Sequence, residues 1–233
     1  ELQSDKIIDD SKIIKIQVLK QFKYYIVGGF LAALSLSCST KKNKFVNRNY
    51  HAITAQFNPI FHGYEALEEA KEELIEDYRD DYWEVLPVER IVLSDFDERE
   101  IGYETNQTLF DRAEEKAIVA IQKHSMHIDG SERNYDKMAD AYMLLGKARY
   151  FDSRFIPAID AFNFILSRYP SSKSINDAII WRAKTFVRLD NEEVAIQNLR
   201  QIVESEHKLK PRVEADATAM IAQAYVQMDS LRE

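Results

Sequence analysis

The stretch that decides the fold spans residues 138–172 and reads MADAYMLLGKARYFDSRFIPAIDAFNFILSRYPSS. Apolar and small residues recur in it at steps of three and four, first at Ala139, Tyr142, Leu145, Gly146, Ala148 and Tyr150, then at Phe155, Ala158, Ile159, Phe162 and Ile165. This period predicts two amphipathic helices, with a turn at residues 152–154. Pro170 ends the second helix because it lacks an N–H and clashes with the preceding turn. The stretch therefore predicts a helical hairpin.

The small residues of this hairpin predict where its helices cross. Gly146 and Ala158 allow the two backbones to approach closely, while Tyr142 and Phe162 fill the space beside them. The hairpin resembles the 34-residue tetratricopeptide (TPR) repeat at nearly every marked position. One such repeat cannot bury its faces alone, so neighbouring repeats are expected.

The sequence supplies those neighbours. Residues 175–189 and 194–202 predict a second hairpin, in which Ala195 takes the part of Ala158. A third first helix is predicted over residues 213–228, with Pro211 at its start, where proline is tolerated. We expect an all-α, TPR-type solenoid of helical hairpins over residues 105–233, wound as a right-handed superhelix. The chain stops before a partner for the third helix, and we interpret it as the front part of a longer protein.

Composition limits the classes of function. Of 233 residues, 45% are apolar and 30% charged, which is typical of a globular protein, and 6 Gly with 5 Pro favour long helices. The net charge of −8 argues against nucleic acid as a partner, because phosphate binding needs a basic face. One cysteine excludes an intramolecular disulfide.

The N-terminal region predicts the cellular compartment. Lysines precede an apolar run at residues 24–36, which is too short for the ~20 residues that span a bilayer and is typical of a signal peptide. The run ends in LSLSC, residues 34–38, which resembles a bacterial lipobox with Cys38 as the acylated residue. We predict a lipoprotein signal peptide over residues 1–37 and an acylated tether over residues 38–48. The alternative is a chance cysteine after a buried helix.

Residues 49–104 are predicted to form an N-terminal helical hairpin followed by an extended connector. Tyr50, Ile53 and Phe57 make a short apolar stripe, and Asn58-Pro59 and His62-Gly63 mark a break. A second helix follows over residues 64–78. Residues 83–100 are predicted as the connector, residues 108–125 as a further helix, and residues 126–133 as a loop.

Candidate metal and catalytic motifs are weak. His124 and His127 have the spacing of two ligands on one helix face, but a helix end with histidine cations at its negative pole is the favoured interpretation. Acidic runs at residues 76–81 and 95–98 lack the glycine and periodicity of a calcium loop, so a solvated acidic face is favoured. We found no phosphate loop, nucleophile elbow or Cys/His pair in the sequence. We therefore predict no enzyme activity, cofactor or metal.

Five stretches carry a more specific resemblance. They read NYHAIT (49–54), FHGYEAL (61–67), WEVLP (83–87), IQKHSM (121–126) and DAYMLLGKA (140–148). Together with the lipobox, this order resembles the TPR lipoproteins of the Bacteroidota type IX secretion and gliding machinery, of the SprE or PorW type. The resemblance implies an outer-membrane lipoprotein on the periplasmic side that acts as a scaffold for other components of that machinery, without small-molecule substrates. The alternatives are a generic TPR adaptor of outer-membrane assembly and the helical front domain of an envelope enzyme.

The predicted partner-binding surface is the concave side of the solenoid. Taking Gly146, Ala183 and Ala222 as equivalent places a common set of side chains along the inner groove, namely Lys147, Tyr150, Phe151, Lys184 and Arg188. This set suits an acidic or C-terminal peptide with an aromatic or aliphatic anchor. The alternative is that both lysines pair with Asp140 and Asp177 on their own helices.

Overall fold

The computed structural model describes residues 24–25, 39–83, 86–91, 109–205 and 209–230, and most of them are helical. The elements are helix α1 (Phe45–Ala55), a π-helical turn (Gln56–Ile60), α2 (Phe61–Asp77), α3 (Leu109–His124), strands β1 (His127–Ile128) and β2 (Ser131–Glu132), α4 (Tyr135–Phe151), α5 (Phe155–Arg168), α6 (Ile175–Val187), α7 (Glu192–Val203) and α8 (Pro211–Ser230). The predicted all-α class is confirmed. Cys38 lies outside the described residues, as does nearly all of the predicted signal peptide.

The helices pack in chain order. From α2 to α8, each helix packs against the next one along the chain. The alternate helices α2, α4, α6 and α8 also contact one another in sequence, so they form one row. The helices α3, α5 and α7 cover the other side of that row. This arrangement places one face of α4, α6 and α8 on a shared surface.

The crossing of α4 and α5 depends on Gly146. A Cβ added to this residue would lie 2.4 Å from the ring of Phe162, which is fully buried. Only a residue without a side chain lets the ring occupy this position, because real Cβ contacts do not come so close. Ala158 and Ala195, the predicted equivalents in α5 and α7, are both fully buried. The predicted register of the two hairpins is therefore correct at these positions.

The turns that end α4 and α6 share a left-handed residue. Ser153 has φ of 58° and Asp190 has φ of 54°. A residue in the left-handed region just after a helix is a common way to terminate it. The predicted turn at residues 152–154 is confirmed, and Asp190 lies in the gap left between the two predicted helices of the second hairpin.

The prediction of a helical hairpin within residues 49–104 is wrong. α1 continues through the π turn into α2 without reversing direction, and the residues flanking both junctions are helical. Pro59 lies inside the π turn. The wider turn accommodates its ring, which would clash with the carbonyl four residues earlier in an α-helix. Pro59 therefore does not end the helix, although proline normally does.

α2 instead pairs with α3, across the long connector. A Cβ on Gly63 would lie 2.4 Å from the side chain of Leu144 and 3.1 Å from that of Lys116, so α2 approaches α3 and α4 closely at this glycine. The pair α2 and α3 precedes α4 and α5 in the stack, with residues 78–108 inserted between its two helices. Of the predicted connector, Trp83 and residues 86–91 are described, and none of them is helical.

A short β-hairpin, with two strands of two residues each, connects α3 and α4, where a loop was predicted. Asp129 and Gly130 occupy the turn with φ of 52° and 76°, which is the backbone that a tight hairpin turn requires. The carboxylate of Glu132 accepts hydrogen bonds from the N–H groups of Met126 and Asn134, at 2.7 and 2.9 Å. These bonds fix the approach to α4. The Asp-Gly pair was the sequence signal for this turn.

Candidate protein-binding groove

The five residues predicted to bind a partner do lie together. Lys147, Tyr150 and Phe151 occupy one face of the last turns of α4, because residues three and four apart are neighbours on a helix. Lys184 lies on α6 and Arg188 directly after it, and the Nε of Arg188 donates to the hydroxyl of Tyr150 at 3.2 Å. We call the surface formed by these five residues the inner groove.

Trp181 lies at the centre of the inner groove and was not among the predicted binding residues. Its ring makes edge contacts with Tyr150 and Phe151, at centroid distances of 5.3 and 5.7 Å. The ammonium groups of Lys147 and Lys184 lie 4.8 and 4.5 Å from its centroid. Aromatic faces attract cations at these distances. Trp181 therefore holds both lysines in place. Its position three residues before Lys184 was the available signal.

Lys184 is the most buried charged group of the groove, with 2% of its side chain exposed. Its ammonium lies 2.6 Å from the carboxylate of Glu89 and 2.9 Å from that of Asp216 on α8. Burial lowers the pKa of Lys184, but the two carboxylates outweigh it and the net shift is upward. Lys184 is therefore a charged lysine with two partners inside the protein.

The inner groove is filled by the chain's own connector. The backbone N–H of Val88 donates to the side-chain oxygen of Gln223 at 2.8 Å, and Arg188 donates to the carbonyl of Glu89. The guanidinium of Arg90 pairs with Asp80 through two hydrogen bonds of 3.1 and 2.8 Å. Ile91 is buried in the core. Residues 86–91 thus lie in the groove like a bound peptide, with an acidic side chain on Lys184 and an aliphatic one buried.

The predicted openness of the groove is wrong for three of its residues. Lys184, Tyr150 and Phe151 are buried, because residues 86–91 and the neighbouring aromatic rings cover them. Lys147 and Arg188 are partly exposed. The environment of Lys147 lowers its pKa, chiefly through burial. A larger fraction of this amine is therefore neutral at a given pH than in a surface lysine.

The alternative prediction, in which Lys147 and Lys184 pair with Asp140 and Asp177 on their own helices, is also wrong. Lys184 pairs with Glu89 and Asp216. Asp140 accepts a hydrogen bond from the hydroxyl of Ser174 at 2.9 Å and lies 4.0 Å from Lys137. Asp177 acts on Lys147 by charge alone, raising its pKa in part.

Taking Ala222 as the equivalent of Gly146 and Ala183 puts Gln223 in the place of Lys147 and Lys184. This register for α8 is right at Gln223 and wrong at Ala222. Gln223 is buried and holds the backbone of Val88, so it faces the inner groove with Lys184. Ala222 is exposed, and Ala224 is the fully buried small residue of this part of α8. The sequence did not predict Glu89 or Asp216 as groove residues, because both contacts cross long stretches of chain.

A pocket lies beside the filled groove. It has a volume of about 470 Å³ and is bounded by the second half of α2, by residues 86–90 and by Phe151. Leu74, Ile75 and Leu86 supply apolar walls, while Lys71 and Asp80 supply charge. A further aliphatic or aromatic side chain has room here, adjacent to residues 86–91.

The two histidines with ligand-like spacing do not act together. The Nδ1 of His124 lies 3.2 Å from the Nδ1 of His51 on α1, while His127 is exposed in β1. Burial lowers the pKa of His124, helped by the charges of His51 and Lys123. The expected histidine cation at the end of α3 is thus disfavoured. Across the described residues, no three His, Cys, Asp or Glu side chains assemble into a metal site.

The remaining predicted sites give less information. Of the two acidic runs, residues 95–98 lie outside the described residues, and in the other Asp80 pairs with Arg90. In the described part of the chain, no helix is long and apolar enough to cross a membrane.

No protein-family model matches the chain, and no curated protein matches it either.

Proposed function

We propose that this chain is a non-enzymatic TPR-type scaffold lipoprotein. Acyl chains on Cys38 hold it at the periplasmic face of the outer membrane, and it serves type IX protein secretion and gliding motility through contacts with other components of that machinery. The proposal rests on the resemblance of the lipobox and of the five stretches described above, and on a row of alternate helices that suits a right-handed TPR superhelix.

The observation that carries the protein-binding role is the segment in the inner groove. Residues 86–91 are held by two hydrogen bonds of their backbone, since the N–H of Val88 donates to Gln223 and the carbonyl of Glu89 accepts from Arg188, and by the charge pair between Glu89 and Lys184. Backbone contacts give affinity for a peptide of any sequence, while the charge and the apolar contacts give specificity. The groove is therefore built to hold a short non-helical peptide that carries a carboxylate and an aliphatic anchor.

This arrangement defines how a partner would bind. An acidic segment of another protein replaces residues 86–91 on Lys184, Arg188 and Gln223. Its apolar anchor packs against Leu74, Ile75 and Phe151, which residues 86–90 now face across the pocket of about 470 Å³. The partner must displace residues 86–91, which compete for the groove at a high effective concentration because they belong to the same chain. This competition sets a minimum affinity that a partner needs. A partner that also binds the scaffold at a second site reaches that affinity, because its own segment is then held close to the groove.

Removal of the gene tests the cellular role. We expect loss of type IX cargo from the medium and loss of gliding, with normal levels of outer-membrane proteins. Falling levels of outer-membrane proteins would instead indicate the generic assembly adaptor. Normal secretion and gliding in the deletion strain would refute the proposed role.

Affinity purification from native envelopes tests the groove. The Glu89→Lys variant places a cation against Lys184 and expels residues 86–91, so it should retain more of the secretion components than the wild type. Glu204→Lys makes the same charge change at an exposed site after α7 and serves as the control. Equal yields from all three proteins would show that partners bind elsewhere, whatever the outcome of the gene deletion.

A further inference from the structure

α1, the π turn and the start of α2 carry large apolar side chains on their solvent side. They are between 44% and 73% exposed and belong to Phe45, Val46, Tyr50, Ile53, Phe57 and Phe61. We call these six residues the outer apolar stripe. From Val46 onward they follow one another at steps of three or four residues, which places them along one side of a helix, and Phe45 lies beside Val46. Exposed aromatic residues grouped in this way mark an interaction site in most proteins.

The opposite side of the same helix faces the protein and is more polar. Asn47, His51 and Ala55 are buried there, and each lies two residues, or about 200°, from a stripe residue. The side-chain amide of Asn47 donates to the carbonyls of Ser39 and Lys42, at 2.9 and 3.2 Å. His51 contacts His124 of α3. The usual arrangement of an amphipathic helix on a globular protein is thus inverted, because its apolar side faces outward.

The π turn keeps the stripe continuous. A four-residue step overshoots one α-helical turn and drifts around the axis, whereas the wider turn at Gln56–Ile60 reduces that drift. Phe57 and Phe61 therefore stay in line with Ile53. The stripe extends over 17 residues, or about 25 Å of helix.

The charge near the stripe differs from that of the rest of the chain. Lys41, Lys42, Lys44 and Arg48 are exposed at its N-terminal end, and residues 39–64 contain no Asp or Glu. The whole chain carries a net charge of −8. This basic end is complementary to an anionic surface and not to a second copy of the same chain, whose stripe would bring the same positive charge.

We infer that α1 and the π turn lie flat on an anionic phospholipid surface, with the outer apolar stripe between the headgroups and the acyl chains. Helices that bind a bilayer in this way combine an aromatic and aliphatic face with lysine and arginine residues. Anionic lipids attract basic residues within a Debye length of the surface. The inference does not require acylation of Cys38, because the stripe and the cations make the contact themselves.

A site-specific fluorophore tests this inference in the full chain. Cys38→Ser removes the only native cysteine, and Ile53→Cys then places a label that senses polarity within the stripe. Val194→Cys, on α7 and also exposed, is the matched control. With vesicles of phosphatidylglycerol and phosphatidylcholine, we expect the label at position 53 to shift to shorter wavelengths and to resist aqueous iodide. The label at position 194 should not change.

The charge reversal Lys41→Glu, Lys42→Glu, Lys44→Glu completes the test. In the Ile53→Cys protein it should weaken the response to anionic vesicles by roughly tenfold or more. If the chain sediments with vesicles while the label at position 53 stays as polar as that at 194, the stripe does not bind the bilayer. A shift that appears without vesicles and grows with protein concentration would show that a second copy covers the stripe. Either result overturns the inference.

Discussion

The ammonium of Lys184 lies 2.6 Å from the carboxylate of Glu89 and joins two parts of the chain that are 95 residues apart. Asp216 on α8 holds the same ammonium at 2.9 Å. Lys184 therefore links segment 86–91 to α8 across α6. Its charge maintains the internal geometry of the inner groove and is not displayed on the surface.

Glu89→Gln should weaken the docking of residues 86–91. The change removes a charged hydrogen bond, which typically contributes about 1.5–3 kcal/mol. We expect lower stability in urea and faster tryptic cleavage after Arg90, while Glu204→Gln at an exposed site leaves both unchanged.

Because the fold raises the pKa of Lys184, the stabilisation is complete below the ordinary value of 10.5 and is lost as the pH rises through the folded value. Unchanged cleavage in Glu89→Gln would contradict the docking.

Gly146→Leu should destabilise the crossing of α4 and α5. The new Cβ meets the Phe162 ring at 2.4 Å, and overpacking a core in this way typically costs ~1–3 kcal/mol. Thermal melting followed by circular dichroism measures the effect, with Ala222→Leu on the exposed side of α8 as the control. Phe162→Leu in the same chain should restore part of the loss. A melting temperature equal to that of the wild type would show that the register is wrong.

Glu114→Gln should lower stability at neutral pH. The buried Glu114 carboxylate accepts hydrogen bonds from Arg149, at 2.8 Å, and from Arg154. Burial raises the pKa of Glu114, but the two guanidinium groups outweigh it and the net shift is downward. The contribution, about 1.5–3 kcal/mol, is therefore present above pH 4.5 and is lost as the pH falls through the folded value. Urea unfolding across this range checks it, and a constant difference between variant and wild type would refute it.

The contact between His51 and His124 should make α1 sensitive to acid. Burial lowers the pKa of both imidazoles, so the contact is stable above the ordinary value of 6.5 and weakens as the pH falls through the lower folded values. Hydrogen exchange in α1, corrected for intrinsic rates, should accelerate between about pH 7.5 and about pH 5.5. His51→Gln should reduce this dependence, since His124 alone then titrates, and His62→Gln, on the exposed side, should retain it in full. Equal exchange at both pH values would contradict the prediction.

Cys38→Ser should abolish acylation of the protein in cells. The variant lacks the only thiol that can carry the acyl chains. Labelling of cells with a palmitate analogue measures the modification directly, and the label should disappear. Persistent label in the variant would exclude the lipoprotein prediction.

The stack from α4 to α8 could be predicted from the sequence because its information is local. Steps of three and four residues fix the helices, and small residues such as Gly146 and Ala158 fix their crossing. The continuous helix through Pro59 could not be predicted, since a π turn has no clear sequence pattern. The pairing of α2 with α3 was hidden by the long insertion between them.

The occupied groove was the least predictable feature. The residues of its walls follow from helix geometry, so the grouping of Lys147, Tyr150 and Lys184 was correct. The burial of Lys184 was not predictable, because Glu89 pairs with it across 95 residues of sequence and the neighbouring Val88 is held by Gln223 across 135. Short apolar runs such as residues 85–88 have no period that would indicate where they dock.

The same separations imply an order of events while the ribosome makes the chain. Hairpins such as α4 and α5 form as soon as they emerge, because their contacts are local. Val88 is synthesised 135 residues before Gln223, its hydrogen-bond partner. The newborn protein therefore spends part of its synthesis with the inner groove vacant and residues 86–91 undocked. Chaperones or early partners have their best access to this site during that interval, before α8 is complete.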